Sequence, residues 1–164
     1  MALSRSEFVA RYKGIYEHSS WVAEEAANFV DDAGDINDIA ALMADCVDNA
    51  SVDRQLALIR AHPDLAGKAQ LAGELTEDSS SEQSSAGLDQ CSADEYERFQ
   101  TLNSAYHEKF GFPFVMAVRE SGRAEILAAF ATRLNNDQDT EFETALAEIH
   151  KIARLRFHAM EAGE

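Results

Sequence analysis

Apolar residues along this chain recur mostly three and four apart, the spacing that gathers one face of an α-helix. Ser6 is placed to cap a short helix carrying Phe8, Val9 and Tyr12. Ser19 or Ser20 opens a second across residues 21–30, punctuated by Asp31, Asp32 and Gly34. Asp35 heads a third, with Ile36, Ile39, Ala40, Leu42, Met43 and Val47 as its apolar residues, and Ser51 heads a fourth to about Arg60. Pro63 disfavours helical geometry at His62 and ends that helix. Ser92-x-x-Glu95 has capping-box spacing and opens the clearest helix of all. Tyr96, Phe99, Asn103, Tyr106 and Phe110 share one of its faces, and Gly111 is its stop. Two more helices are expected at about residues 124–134 and 140–160.

Three stretches depart from that rhythm. Residues 64–75 are only partly helix-like. Residues 76–85 are entirely polar, with five serines in ten positions, and read as a loop. Ser79-x-x-Glu82 nevertheless has capping-box spacing and leaves a helix start open there. Residues 112–118 form an apolar run broken by Pro113; no second convincing strand exists to pair with it, so an extended lead into the next helix is expected. The fold class is therefore all-α. The pattern predicts a single domain over residues 1–164, a bundle of about seven to nine helices with a Ser-rich loop and an extended Phe-Pro-Phe segment.

Charge narrows the partners. Fourteen basic residues against 30 acidic ones give a formal charge of −16, which repels nucleic-acid phosphates and anionic lipids. An anionic substrate would need cations placed locally against that field. Cys46 and Cys91 lack CxxC or metal-ligand spacing; a lone disulfide is open to them, and two thiols in a reducing compartment is the preferred reading. Without an apolar leader, and with no apolar run near the roughly 20 residues of a membrane span, a cytoplasmic location is expected. An apolar face on the N-terminal helices is compatible with a homodimer.

Two residues sit where the helical pattern does not want them. Phe142, Leu146, Ile149, Ile152, Ala153 and Met160 form one stripe on the last helix, and Arg156 lies on it while Arg154 projects aside. An arginine on a core-facing stripe is expensive unless it pairs with an acid, snorkels to the rim or opens onto a ligand. His62 stands at a helix end, fixed by Pro63 and followed by Asp64-Leu65-Ala66-Gly67-Lys68. That mounting suits a general acid or base, and equally a histidine favoured by the helix dipole. Asn103 and His107 both face the apolar stripe of their helix, where a satisfied core polar residue is the ordinary reading. No nucleotide-binding, nucleophile-elbow or HExxH pattern is present.

These features coincide with the motifs His62-Pro63-Asp64-Leu65-Ala66-Gly67-Lys68, Ser79-x-x-Glu82-Gln83-x-x-Ala86-Gly87-Leu88 and Phe99-x-x-Leu102-Asn103-x-x-Tyr106. Lys109-Phe110-Gly111-Phe112-Pro113-Phe114-Val115 and Glu148-Ile149-x-Lys151-Ile152-Ala153-x-Leu155-Arg156 continue the series. Through them the chain resembles the family of 2-oxo-4-hydroxy-4-carboxy-5-ureidoimidazoline (OHCU) decarboxylases, over about residues 60–157. The resemblance implies cofactor-independent decarboxylation of OHCU to (S)-allantoin in urate breakdown, with no cofactor and no metal. It also implies His62 as the acid/base and Glu82 as its partner. Ser79 and Gln83 would hydrogen-bond the ring and ureido edges, Arg156 would hold an anionic or carbonyl oxygen, and Pro63 would fix the entry beside His62. Phe112, Phe114 and Val115 would line the site. Glu120-Ser121-Gly122 departs from the family's usual small residue, and His107 stands where the family asks for no histidine. Two other readings compete: a non-catalytic helical module holding an anion through Arg156, and a metal-dependent hydrolase built on His62, Asp64 and Glu82.

Overall fold

A computed structural model describes residues 4–29, 36–67, 73–119 and 121–161. Among them stand eight α-helices, one 3-10 turn (Leu88–Gln90) and no strand, as the all-α reading expects. The helices are α1 (Arg5–Tyr12), α2 (Trp21–Ala26), α3 (Ile36–Asp48), α4 (Val52–Arg60), α5 (Glu77–Ser85), α6 (Ala93–Phe110), α7 (Arg123–Arg133) and α8 (Gln138–Glu161).

Their ends follow local chemistry. Ser4, rather than Ser6, caps α1: its hydroxyl accepts from the Glu7 amide and leaves Ser6 inside the first turn. The second helix stops at Ala26, short of the expected residue 30, because the chain tightens there into bonds from Asn28 to Glu25 and Phe29 to Ala26. The expected Asp31, Asp32, Gly34 and Asp35 signals lie outside the described residues. Ser51 caps α4 through the Arg54 amide. Ser92 and Glu95 form the reciprocal capping box of α6, and Gly111 ends that helix at φ 76°, a left-handed turn that suits glycine.

Two compact units make up the chain: residues 1–61 with 150–164, and residues 62–149. In the first, the Tyr12 ring meets Phe8 and Phe157 in tilted contacts, and Val22, Met43, Val47 and Leu58 are buried with them. The Gln55 amide donates to the Val47 carbonyl, fixing α4 against the end of α3. The second unit is built around Tyr106, whose ring meets Phe110, Phe112, Phe114 and Phe130. Residues 113–118 carry no regular structure, and Phe112, Pro113, Phe114 and Val115 are buried among these rings. The Phe-Pro-Phe segment is held by aromatic packing, Phe112 against Phe110 and Phe114 against Phe130.

The expected Ser-rich loop is instead helical. Residues 77–85 are the helix α5, and its cap is Thr76, whose hydroxyl accepts from the Ser79 amide. Ser79 therefore sits at the third helical position and does not open the helix. Its buried residues, Ser79, Glu82 and Gln83, are spaced three and four apart on one face. The face turned inward is polar, so hydrophobic periodicity carries no trace of this helix.

Candidate active site

Burial singles out the sequence-marked residues of the second unit. His62 is 7% exposed, Ser79 5%, Glu82 8% and Gln83 2%. Polar side chains at this depth are costly unless they are hydrogen-bonded or meant for a ligand. Pro63 is half-buried, while Phe112, Phe114 and Val115 are buried in the aromatic cluster.

The loop that carries His62 is tightly wound. Ala66 adopts φ 51°, a left-handed conformation uncommon for a residue with a side chain. Gly67 is required, since a Cβ there would meet the Asp64 Cβ at 2.8 Å. Gln83 from α5 clamps this turn: its Oε1 accepts from the Ala66 amide at 3.0 Å, and its Nε2 donates to the Asp64 carbonyl at 3.2 Å. Helix α6 closes the other side. Gln100 donates to the Ala66 carbonyl at 2.7 Å, and Asn103 to the Leu65 carbonyl at 3.0 Å. His107 meets the Asp64 carboxylate at 2.7 Å. That histidine is exposed, so its expected place on the buried stripe is corrected: the Asp64 carboxylate draws it outward. Asn103 is buried as expected, with its Oδ1 lacking a partner.

Behind the Phe-Pro-Phe segment lies a charged network. Glu141, fully buried, accepts from the Tyr106 hydroxyl (2.6 Å), Arg133 Nε (2.8 Å) and Asn136 Nδ2 (2.9 Å). Burial and the hydrogen bond to Glu141 push the Tyr106 pKa upward, so its hydroxyl stays a donor. Arg133 donates to the Val115 carbonyl at 2.6 Å, and its guanidinium lies 4.3 Å from the centre of the Phe114 ring. Residues 112–115 are thus fixed from behind by ion pair, hydrogen bond and ring stacking.

Arg156 belongs to the first unit and is 3% exposed. Its Nη1 lies 3.2 Å from the Gly14 carbonyl, 3.4 Å from that of Ile15 and 3.6 Å from the buried Glu17 carboxylate. The acid partner weighed for a core-facing arginine is therefore present. Nearby, His150 bridges the Tyr16 hydroxyl and Asp48 at 2.9 and 3.0 Å. Burial first, then the Asp48 charge, drives the Tyr16 pKa up. Cys46 and Cys91 are free thiols whose pKa values burial also raises, which makes them poor nucleophiles.

Among the described residues no three His, Cys, Asp or Glu side chains gather as a metal ion would require, so the trio of His62, Asp64 and Glu82 does not form such a cluster. No helix among them is long and apolar enough to cross a membrane. Gln100, Arg133 and Glu141 were missed from sequence. Glu141 had a legible signal, because it precedes buried Ala145 and Ile149 at four-residue steps.

A small all-α protein with a buried polar locus on a proline-fixed loop is the class these features define. The chain belongs to the OHCU decarboxylase family, whose model matches residues 1–158. It is 45% identical over 154 residues to the 2-oxo-4-hydroxy-4-carboxy-5-ureidoimidazoline decarboxylase of Haloferax volcanii, covering 94% of this chain and 89% of that one. The crystal structure of an OHCU decarboxylase in the presence of (S)-allantoin matches with a TM-score of 0.74 at 26% identity, covering 94% of this chain and 98% of the other. An (S)-allantoin synthase structure matches with a TM-score of 0.70 at 35% identity, and there the chain spans 50% of the longer molecule.

Proposed function

We propose that this protein is a carboxy-lyase that converts OHCU to (S)-allantoin without a cofactor, the whole chain serving as one catalytic domain. The observation that carries the reading is family membership across residues 1–158. The substrate's own chemistry supports it. The departing carboxylate sits on the carbon that bears the hydroxyl, beside a ring carbon double-bonded to nitrogen. When CO2 leaves, the electron pair of the broken C–C bond forms a C=C to that ring carbon and displaces the C=N pair onto the nitrogen, which takes up a proton. The hydroxyl then becomes the carbonyl as it gives up its proton, and the carbon bearing the ureido group gains one. The protein has to orient the ring and move protons on one face.

His62 is the residue assigned to that proton handling, with Glu82 orienting it or accepting ureido N–H groups. Ser79 and Gln83 share the buried face of α5 with Glu82 and are assigned to the ring and ureido edges. Pro63, Phe112, Phe114 and Val115 form the wall in this reading, and Arg156 holds a substrate oxygen. The working location is the cytoplasm, with no nucleic-acid partner. Exposed Phe29 and Val52 in the first unit are the apolar residues offered to a homodimer.

The test generates OHCU in situ from urate and follows optically active allantoin with and without added protein and chelator. Acceleration indifferent to chelator is expected; a rate equal to spontaneous decay rejects the lyase, and loss with chelator favours a hydrolase. His62→Asn and Glu82→Gln should each lower kcat by about a hundredfold or more, the usual share of acid–base catalysis. Arg156→Lys is the better binding probe, since Arg156→Ala would leave Glu17 buried without its cation. It should raise KM; an unchanged KM removes Arg156 from the site.

A further inference from the structure

We propose that Gln100 and Asn103 of α6 are positioning residues for the decarboxylation, acting through the main chain of the loop that carries His62. This rests on the reading of His62 as the acid/base. Four main-chain groups in three consecutive residues, Asp64 O, Leu65 O, Ala66 N and Ala66 O, are taken by the side-chain amides of Gln83, Asn103 and Gln100. The turn they hold includes Ala66 at φ 51°, a conformation that persists only where its surroundings impose it. Gln83 grips the turn from α5, Gln100 and Asn103 from α6.

Asn103 separates positioning from plain stabilisation. Its Nδ2 donates to Leu65, which fixes the orientation of the amide, because the flipped form would set oxygen against oxygen. In that orientation its Oδ1 is buried without a partner, a cost at least as large as one neutral hydrogen bond returns. Asn103→Leu exchanges this orphan oxygen for another, that of Leu65, and adds apolar surface to a buried position. Folding therefore has little to lose by it. The loop loses its central tether and relaxes, and His62 goes with it.

Gln100→Met and Asn103→Leu, assayed with OHCU generated in situ, should each lower kcat about tenfold or more while KM changes by about twofold or less, as misplacement of a catalytic group does. Melting temperatures should stay near that of the unaltered protein. Gln100→Lys, which retains an N–H donor on a chain of similar length, should recover most of the kcat lost in Gln100→Met. In the NMR spectrum, the His62 imidazole should give one sharp set of resonances in the unaltered protein and a broadened or doubled set in Asn103→Leu. Normal kcat in both variants overturns the proposal, as does a loss of activity that tracks a loss of fold. If Asn103→Leu does not fold, the Gln100→Met and Gln100→Lys pair decides the matter. His62→Asn serves as the separate control: full activity there sinks the acid/base assignment itself, whereas an inactive His62→Asn beside a normal Gln100→Met sinks only the positioning role.

Discussion

Glu141 accepts three hydrogen bonds while fully buried, one of them from its cationic partner Arg133. Removing one member of such a pair costs more than the pair itself contributes, because the other charge stays in a low-dielectric setting. Glu141→Gln should therefore destabilise the protein by about 3–5 kcal/mol. Tyr106→Phe removes a single hydrogen bond to a charged acceptor and should cost about 1.5–3 kcal/mol. Urea unfolding of both variants checks the order, and equal costs would mean the Arg133 charge is satisfied without Glu141. This residue scale was partly legible in sequence. Arg156 and His62 stood out because a cation on an apolar stripe and a histidine before proline break local rules. Arg156 is indeed buried and His62 is indeed enclosed. Gln100 was invisible, since it lies beside Phe99 at the edge of the stripe and its partner is a main-chain oxygen 34 residues away in sequence.

At the scale of elements, hydrophobic rhythm recovered α4, α6, α7 and α8 to within a few residues and failed at α5. The failure has a physical cause. Helix α5 buries Ser79, Glu82 and Gln83, so its inward face is polar and leaves no apolar period to read. Caps decide such helices, and α6 shows how. Its Glu95 carboxyl is held below its ordinary pKa, first by the Ser92 backbone N–H and then by Arg123. Since the lowered value belongs to the folded state, the contribution is complete above the unfolded carboxylate value and is lost as pH falls through the folded one. Asp137, which accepts from the Thr140 amide at the start of α8, behaves alike. Below about pH 4.3, the ordinary glutamate value, Glu95→Gln should flatten the acid limb of stability against pH. Denaturation midpoints measured across that range check it, and an unchanged limb would show that the acid loss arises elsewhere.

For the whole molecule the governing quantity is the charge of −16 from 30 acids and 14 bases. Among the described residues the buried acids are Glu17, Glu82 and Glu141, so the other described acids are at least partly in contact with solvent. Like charges spread over so small a body repel one another in the folded state and less so in the expanded one. Screening is therefore stabilising here. The Debye length contracts from about 10 Å at 0.1 M salt to about 3 Å at 1 M, less than the usual spacing of surface carboxylates, and the melting temperature should climb as KCl is raised over that interval. The same field opposes the approach of a carboxylate substrate, so kcat/KM for OHCU should also rise with KCl, through KM and not kcat. Sucrose at matched osmolarity separates the two effects: as an excluded solute it raises the melting temperature without screening charge, and it should leave KM where it was. A melting temperature indifferent to KCl would mean that the acids are neutralised locally, by pairs such as Arg123 with Glu95 and Arg54 with Glu25. A KM indifferent to KCl, with the melting temperature still rising, would mean that local cations at the site outweigh the global field.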